Sequence, residues 1–200
     1  MTPRASLVLF ILILFALRWT EYLLLRRKGP KGQVRSRWTT VAILVFGSGY
    51  WIAGAIEAWL RDWELAWVLC GAGLALYLLR TFVKVWAVRT LGKAWSTEVE
   101  IQSTQRLAQD GPYRWLRHPI YFCNMMEPIA VALMANSPAA GIVGILTLWP
   151  IEWIRMRSEE KALREKFGAA YEEYQRQVPA LVPWRPFRRR TEAFIRPDER

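Results

Sequence analysis

Two clusters of polar residues in this 200-residue chain have the types and spacing for chemistry. The first is Gly111-Pro112-Tyr113 followed by Arg117-His118-Pro119 and Tyr121, and it holds the chain's only histidine. Pro119 keeps His118 out of helical geometry and can itself begin a helix, so the free N–H groups of that helix's first turn would face outward beside the imidazole. Such an end readily holds a carboxylate. The same residues would serve equally to anchor a helix at lipid headgroups. The second cluster is Arg155 and Glu159, four apart and so on one face of a helix. There a guanidinium can hold an anionic group while the carboxylate pairs with an ammonium or with ribose hydroxyls, both weakly screened near lipid. Taken alone, with Arg157, Glu160, Lys161, Arg164, Glu165 and Lys166 around it, this stretch reads more plainly as a charged surface helix.

Other candidates are fewer. Glu127 falls inside an apolar run, where an ionisable residue is either functional or bonded to a neighbouring helix. Arg80 and Lys84 lie near the end of another run and are expected to snorkel toward the interface. Cys70 and Cys123 lack metal-ligand or disulfide spacing and read as packing residues. No phosphate-cradling loop, Ser/His/Asp arrangement or paired histidine is present, so no metal is expected.

The elements that must position these residues follow from hydropathy. The chain is 53% hydrophobic, carries a net charge of +11 and contains twelve Trp, so its apolar and charged parts must be segregated, as in a membrane protein with two interfaces. Lys and Arg flank the apolar runs in blocks, which indicates cytoplasmic loops rather than a nucleic-acid surface. Spans are predicted over 5–25, 38–60, 63–88, 119–135 and 139–154, the first a retained span rather than a cleaved leader. Asn136, Ser137 and Pro138 predict a tight hairpin between the last two. Beyond it Leu163, Phe167, Tyr171, Tyr174 and Val178 recur at helical spacing, which predicts one amphipathic helix ended by Pro179 and Pro183. The expected fold is an all-α integral membrane protein of about five transmembrane helices, with a cytoplasmic segment of its own structure over 89–117 and a C-terminal amphipathic helix. The charge distribution puts the N-terminus outside and the C-terminus in the cytoplasm, in a membrane expected to be a prokaryotic inner membrane. The expected division is 1–88 as N-terminal spans, 89–187 as the chemical core and 188–200 as a basic tail.

Several residues together also resemble a known family. They are Gln102, Gln105-Arg106-Leu107-Ala108, Gly111-Pro112-Tyr113, Arg117-His118-Pro119-Ile120-Tyr121, and Arg155, Glu159-Glu160, Leu163, Phe167-Gly168, Tyr171, Tyr174, Val178 and Pro183. In order and spacing they resemble the isoprenylcysteine carboxyl methyltransferases and their phospholipid-methyltransferase relatives, over about Leu91 to Trp184. That resemblance implies S-adenosylmethionine as cofactor, with Gln102, Gln105, Arg106, Leu107, Ala108, Tyr113, His118, Pro119, Ile120, Tyr121 and Glu159 as its contacts and Arg155 on the substrate. Two departures stand out. Cys123 replaces a small residue two after the tyrosine, and Leu181 replaces a glycine in the final proline motif; both would narrow a pocket without removing a polar contact.

What the resemblance implies is direct methyl transfer, driven by positioning and electrostatics, to a lipophilic, lipid or prenylated acceptor that reaches the site from the bilayer while the cofactor arrives from the cytoplasm. Arg155 and Glu159 would be the pair at the reacting groups. An amine methyltransferase acting on phospholipid headgroups and a non-enzymatic protein of the same fold are the alternatives, and Arg155 suits an anionic acceptor better than an amine. A related reductase would need a nicotinamide site, for which the sequence has no feature.

Overall fold

The computed structural model describes residues 3–25, 33–34, 37–60, 66–96, 100–101 and 106–182. Six helices account for most of them: α1 Pro3–Leu25, α2 Arg37–Leu60, α3 Trp67–Leu91, α4 Pro119–Ala135, α5 Pro138–Phe167 and α6 Ala169–Gln177. Four of these, α1, α2, α3 and α5, are long and apolar enough to cross a membrane, and α4 is a shorter apolar helix of 17 residues. The chain is a multi-pass membrane protein. Two residue pairs form the only sheet among the described residues, β1 (Gln33–Val34) antiparallel to β2 (Glu100–Ile101). This pairing brings the segment after α1 to the segment after α3, at one end of the bundle.

The helices pack through small residues and one apolar core. Leu7, Ile11 and Leu14 recur along one face of α1 and meet Tyr50 and Trp51 of α2, Tyr77 of α3, Val131 and Met134 of α4 and Leu148 of α5. A Cβ added at Gly73 would lie 2.6 Å from the Met134 nitrogen and 2.7 Å from the Ala130 oxygen, so α3 and α4 touch backbone to backbone there. Gly144 likewise leaves room on α5 for the Pro128 ring of α4. Small residues allow this approach where lipid offers no hydrophobic drive for helices to associate. Outward apolar residues such as Leu24, Val45, Val68, Phe82 and Leu146 remain exposed, as lipid-facing positions should.

The α4–α5 hairpin is built as its residues predict. Asn136 ends α4 in the left-handed conformation, at φ 49°. Ser137 then caps α5, its hydroxyl accepting the Ala140 N–H at 3.0 Å, with Pro138 in the first turn. Glu57 at the end of α2 reinforces this cap by accepting from the Ser137 hydroxyl and from the Ala139 N–H at 3.1 Å.

Three expectations are revised. The predicted third span begins later than position 63, with α3 starting at Trp67. The amphipathic helix after the last span is two helices, because α5 runs unbroken from Pro138 to Phe167 and Gly168 then takes φ 51° before α6. Arg80 does not snorkel. It is only 2% exposed and sits over the Tyr77 ring, with its guanidinium 3.3 Å from Glu127 and 3.6 Å from Glu21. Lys84 is 2.9 Å from Glu21. Glu127 also accepts from Arg18 Nε and, at 2.7 Å, from the Tyr50 hydroxyl. Glu127 thus bonds neighbouring helices, one carboxylate gathering partners from α1, α2 and α3, because buried charge must be compensated away from water, and it also borders the cavity described below.

Candidate active site at the α4 N-terminus and α5

The local chain course around His118 is held from both sides. A 3-10 turn over Gly111–Arg114 leads into it, starting at Gly111 with φ 56°. A Cβ at Gly111 would lie 2.5 Å from the Thr90 hydroxyl, so only glycine lets this turn seat on α3. Tyr113 is buried, and its carbonyl accepts from the Tyr174 hydroxyl at 2.7 Å, which ties α6 to the turn. Burial, and secondarily the Glu159 carboxylate, push the Tyr113 phenol well above its ordinary pKa, so it stays neutral. The backbone N–H groups of Arg117 and His118 donate to the carbonyls of Pro179 and Ala180 at 2.9 and 3.1 Å, closing the loop from the other side.

Arg117 and His118 converge on Glu160. Arg117 Nη2 is 2.8 Å and His118 Nε2 3.2 Å from the same Glu160 oxygen. Arg117 also donates through Nη1 to the carbonyls of Gln175, at 3.1 Å, and Val178. The guanidinium therefore binds α5, the end of α6 and the entry to α4 into one unit. The headgroup-anchor role considered for Arg117 is not what it performs here, and the part played by Glu160 was not singled out from the sequence.

A cavity opens beside this unit and continues down between the spanning helices. Its wall includes Tyr113, His118, Pro119, Ile120, Tyr121, Arg155 and Glu159, together with Trp95, Asn124, Glu152 and, from the N-terminal helices, Arg18, Thr40, Ile43 and Leu44. The α4 N-terminus borders it, and among the described residues no side chain caps that end. The Tyr121 hydroxyl donates to Glu159 at 2.6 Å. Arg155 donates to the Thr40 hydroxyl of α2 at 3.1 Å and pairs with Tyr121. Arg155, Tyr121 and Glu159 thus form a chain across the cavity, with the cation on the spanning-helix side.

Seven of the expected site residues are brought together here. Three are not on its wall: Arg106 is exposed, Leu107 packs with Leu163, Tyr171 and Tyr174, and Ala108 packs against Ala87, Val88, Tyr113 and Ile120. Gln102, Gln105 and Pro183 lie outside the described residues. Glu152 and Asn124 were missed. Glu152 is 1% exposed and accepts from the Asn124 amide at 2.9 Å. A signal existed, since Glu152, Arg155 and Glu159 follow the i, i+3, i+7 rhythm of one helix face. Cys123 is buried and Leu181 half-buried, and neither is on the cavity wall.

Known proteins are similar to this chain in sequence and fold. Residues 73–165 match the family described as isoprenylcysteine carboxyl methyltransferase. A protein-S-isoprenylcysteine O-methyltransferase of Saccharomyces cerevisiae is 32% identical over 126 residues, covering 62% of this chain and 53% of that one. The enzyme of the same name from Rattus norvegicus is 26% identical over 182 residues, covering 88% and 64%. The chain therefore spans between about half and two thirds of the length of these relatives. A solved eukaryotic intramembrane Ras methyltransferase, also an isoprenylcysteine carboxyl methyltransferase, superposes with a TM-score of 0.60 at 24% identity, over 76% of this chain and 55% of that one. It shares the fold. The segment that matches that family, residues 73–165, holds most of α3, the loop after it, α4 and most of α5, so the chain is similar to the isoprenylcysteine carboxyl methyltransferases through the part that builds the site.

Proposed function

We propose that the protein transfers a methyl group from S-adenosylmethionine to a carboxylate of a lipophilic, membrane-resident acceptor. The observation that carries this reading is one continuous cavity, which joins the polar end at α4's first turn to the walls of three spanning helices. One ligand can enter from water and the other from lipid, and the two meet at Arg155 and Glu159.

The residues at the polar end fit the cofactor's chemistry. The free N–H groups of an uncapped helix start suit its carboxylate, Glu159 suits its ammonium or ribose hydroxyls, and the rings of Tyr113, Tyr121 and Trp95 supply flat apolar wall. When bound, it supplies a methyl activated on a sulfonium. Arg155 then orients the acceptor's carboxylate through paired N–H donors, and an ionised carboxylate needs no base. His118, held through Nε2 by Glu160, keeps the backbone before Pro119 in place. Arg106, Leu107 and Ala108 support the wall from behind, and Gln102 and Gln105, outside the described residues, are proposed as cofactor contacts from the resemblance alone. In this reading 89–187 is the transfer core, 1–88 supplies the acceptor-facing wall, and the basic segments including 188–200 lie in the cytoplasm, with the N-terminus outside. In the same reading the membrane is a prokaryotic inner membrane, in keeping with the short segments between the spans.

Calorimetric binding of S-adenosylhomocysteine to the detergent-purified protein tests the cofactor half without knowledge of the acceptor. Saturable binding that Glu159→Ala weakens by at least about tenfold supports the reading, a loss in line with one charged hydrogen bond. A folded wild-type protein that does not bind it would sink the reading.

A further inference from the structure

Glu152 is not used in the transfer just described, yet it borders the cavity one helical turn before Arg155 on the same face of α5, beside Asn124 of α4. The Asn124 amide donates to its Oε1 at 2.9 Å. The other oxygen, Oε2, is buried and has no hydrogen-bond partner among the described residues. Such an oxygen is costly inside a membrane protein. Structural carboxylates in the same bundle are treated differently. Glu127 is surrounded by Arg18, Arg80, Tyr50 and Trp51, and Glu57 by two donors at the hairpin.

The charges around Glu152 decide what its open oxygen can take. On α5 it faces Arg155, and on α4 the uncharged Asn124 and Tyr121. Glu127 of α4 and Lys84 of α3 also act on it, but Glu127 is answered by Arg18 and Arg80, and Lys84 by Glu21. Glu159 is bonded to Tyr121 on the cofactor side, and α2 contributes only the Thr40 hydroxyl beside Arg155. Arg155 and Glu152 therefore balance each other before any acceptor enters. A second carboxylate placed there is disfavoured by like charge, and an acid coming from lipid keeps its proton to higher pH than it does in water.

We infer that Glu152 is the proton acceptor of the reaction, its Oε2 taking the proton of an acceptor that arrives from the bilayer as the neutral carboxylic acid. This rests on the carboxyl-transfer reading and adds how the reactive carboxylate is made inside the site. The acid's O–H bond breaks as an O–H bond forms at Glu152. The carboxylate so formed, held by Arg155, attacks the sulfonium methyl, and the electron pair of the broken C–S bond stays on sulfur. Glu152 then returns the proton to water. Two carboxyl groups sharing one proton is a stable arrangement where both cannot ionise.

The test is the pH profile of kcat/KM between about pH 5.5 and 9, for the purified full chain in phosphatidylcholine bilayers. The probe is an N-acetylated S-isoprenyl cysteine, whose ionisation in the same bilayer is read from its carboxyl carbon by NMR. Wild type should fall by about tenfold per pH unit once both carboxyl groups can ionise, because the shared proton is then lost. Glu152→Gln keeps the shape but can use only the ionised probe. Its kcat/KM should rise to a plateau as the probe ionises, starting at least about tenfold below wild type at the acid end. Glu152→Asp should keep the falling profile, and S-adenosylhomocysteine binding, measured at each pH, should be alike in all three. Parallel profiles for wild type and Glu152→Gln would overturn the assignment and leave carboxyl transfer standing. A wild type that binds S-adenosylhomocysteine and does not methylate the probe would remove carboxyl transfer and this assignment together.

Discussion

At the scale of single residues, the site separates groups that face ligands from groups that hold those in place. Arg155 and Glu159 are four residues apart, but Tyr121 stands between them as a common partner. Their losses should therefore differ in kind. Arg155→Ala is expected to leave S-adenosylhomocysteine affinity within about twofold and to lower turnover by about a hundredfold or more, as removal of a group acting on the transferred charge does; parallel calorimetry and methyl-transfer assays check the split. Glu160→Gln removes the charge shared by Arg117 and His118, both at least partly withdrawn from water. It should weaken cofactor binding through displacement of the His118–Pro119 backbone, visible as lower affinity with the kcat of saturated enzyme largely kept. Glu127 behaves as structure. Glu127→Ala removes the counter-charge of buried Arg18 and leaves Arg80 with Glu21 alone, so stability should fall by about 3–5 kcal/mol, read as a lower thermal unfolding midpoint in detergent.

At the scale of elements, the hairpin and the long spans were legible because their signals are local. Asn136-Ser137-Pro138 holds a left-handed stop, a cap and a helix-starting proline in three consecutive positions. The break at Gly168 was not legible, since Leu163, Phe167, Tyr171, Tyr174 and Val178 keep helical rhythm across it; the rhythm survives because both helices bury the same cluster. Arg80 was misplaced for a different reason. Its distance from the end of α3 suggested escape to the interface, whereas its partners Glu21 and Glu127 belong to other helices and only packing reveals them. Glu152 was hidden among the aromatic and apolar residues of a span. Gly168 has a φ of 51° with ψ −127°, a conformation essentially reserved for glycine. Gly168→Ala should cost about 1–3 kcal/mol and loosen α6, and with it the Tyr174–Tyr113 bond, detectable as faster amide exchange over 169–177.

At the scale of the whole molecule, α2 and α3 belong to the site as much as α4 and α5 do. The cavity wall includes Thr40 and Lys84, and Arg155 reaches across to α2. The β1–β2 pairing fixes the segments after α1 and α3 at one end of the bundle, while the Glu57–Ser137 cap marks the other. Single cysteines at Arg106 and at Asn136, in a chain whose two native cysteines are replaced, should then label from opposite sides of a sealed vesicle, with position 106 reached from the cytoplasm. Labelling of both from one side would contradict the bundle's orientation.

The brevity of α4 has one more consequence. Its 17 residues rise about 25 Å, less than the hydrocarbon core of an average bilayer at about 30 Å. Because α4 is locked to α3 at Gly73 and to α5 at Gly144, it cannot slide to make up the difference. The membrane must thin around the His118 end or let water in to meet it. An acceptor's head would then be drawn down to the cofactor by the shape of the bilayer itself, and turnover should become a gauge of membrane thickness, faster in short-chain than in long-chain phosphatidylcholine.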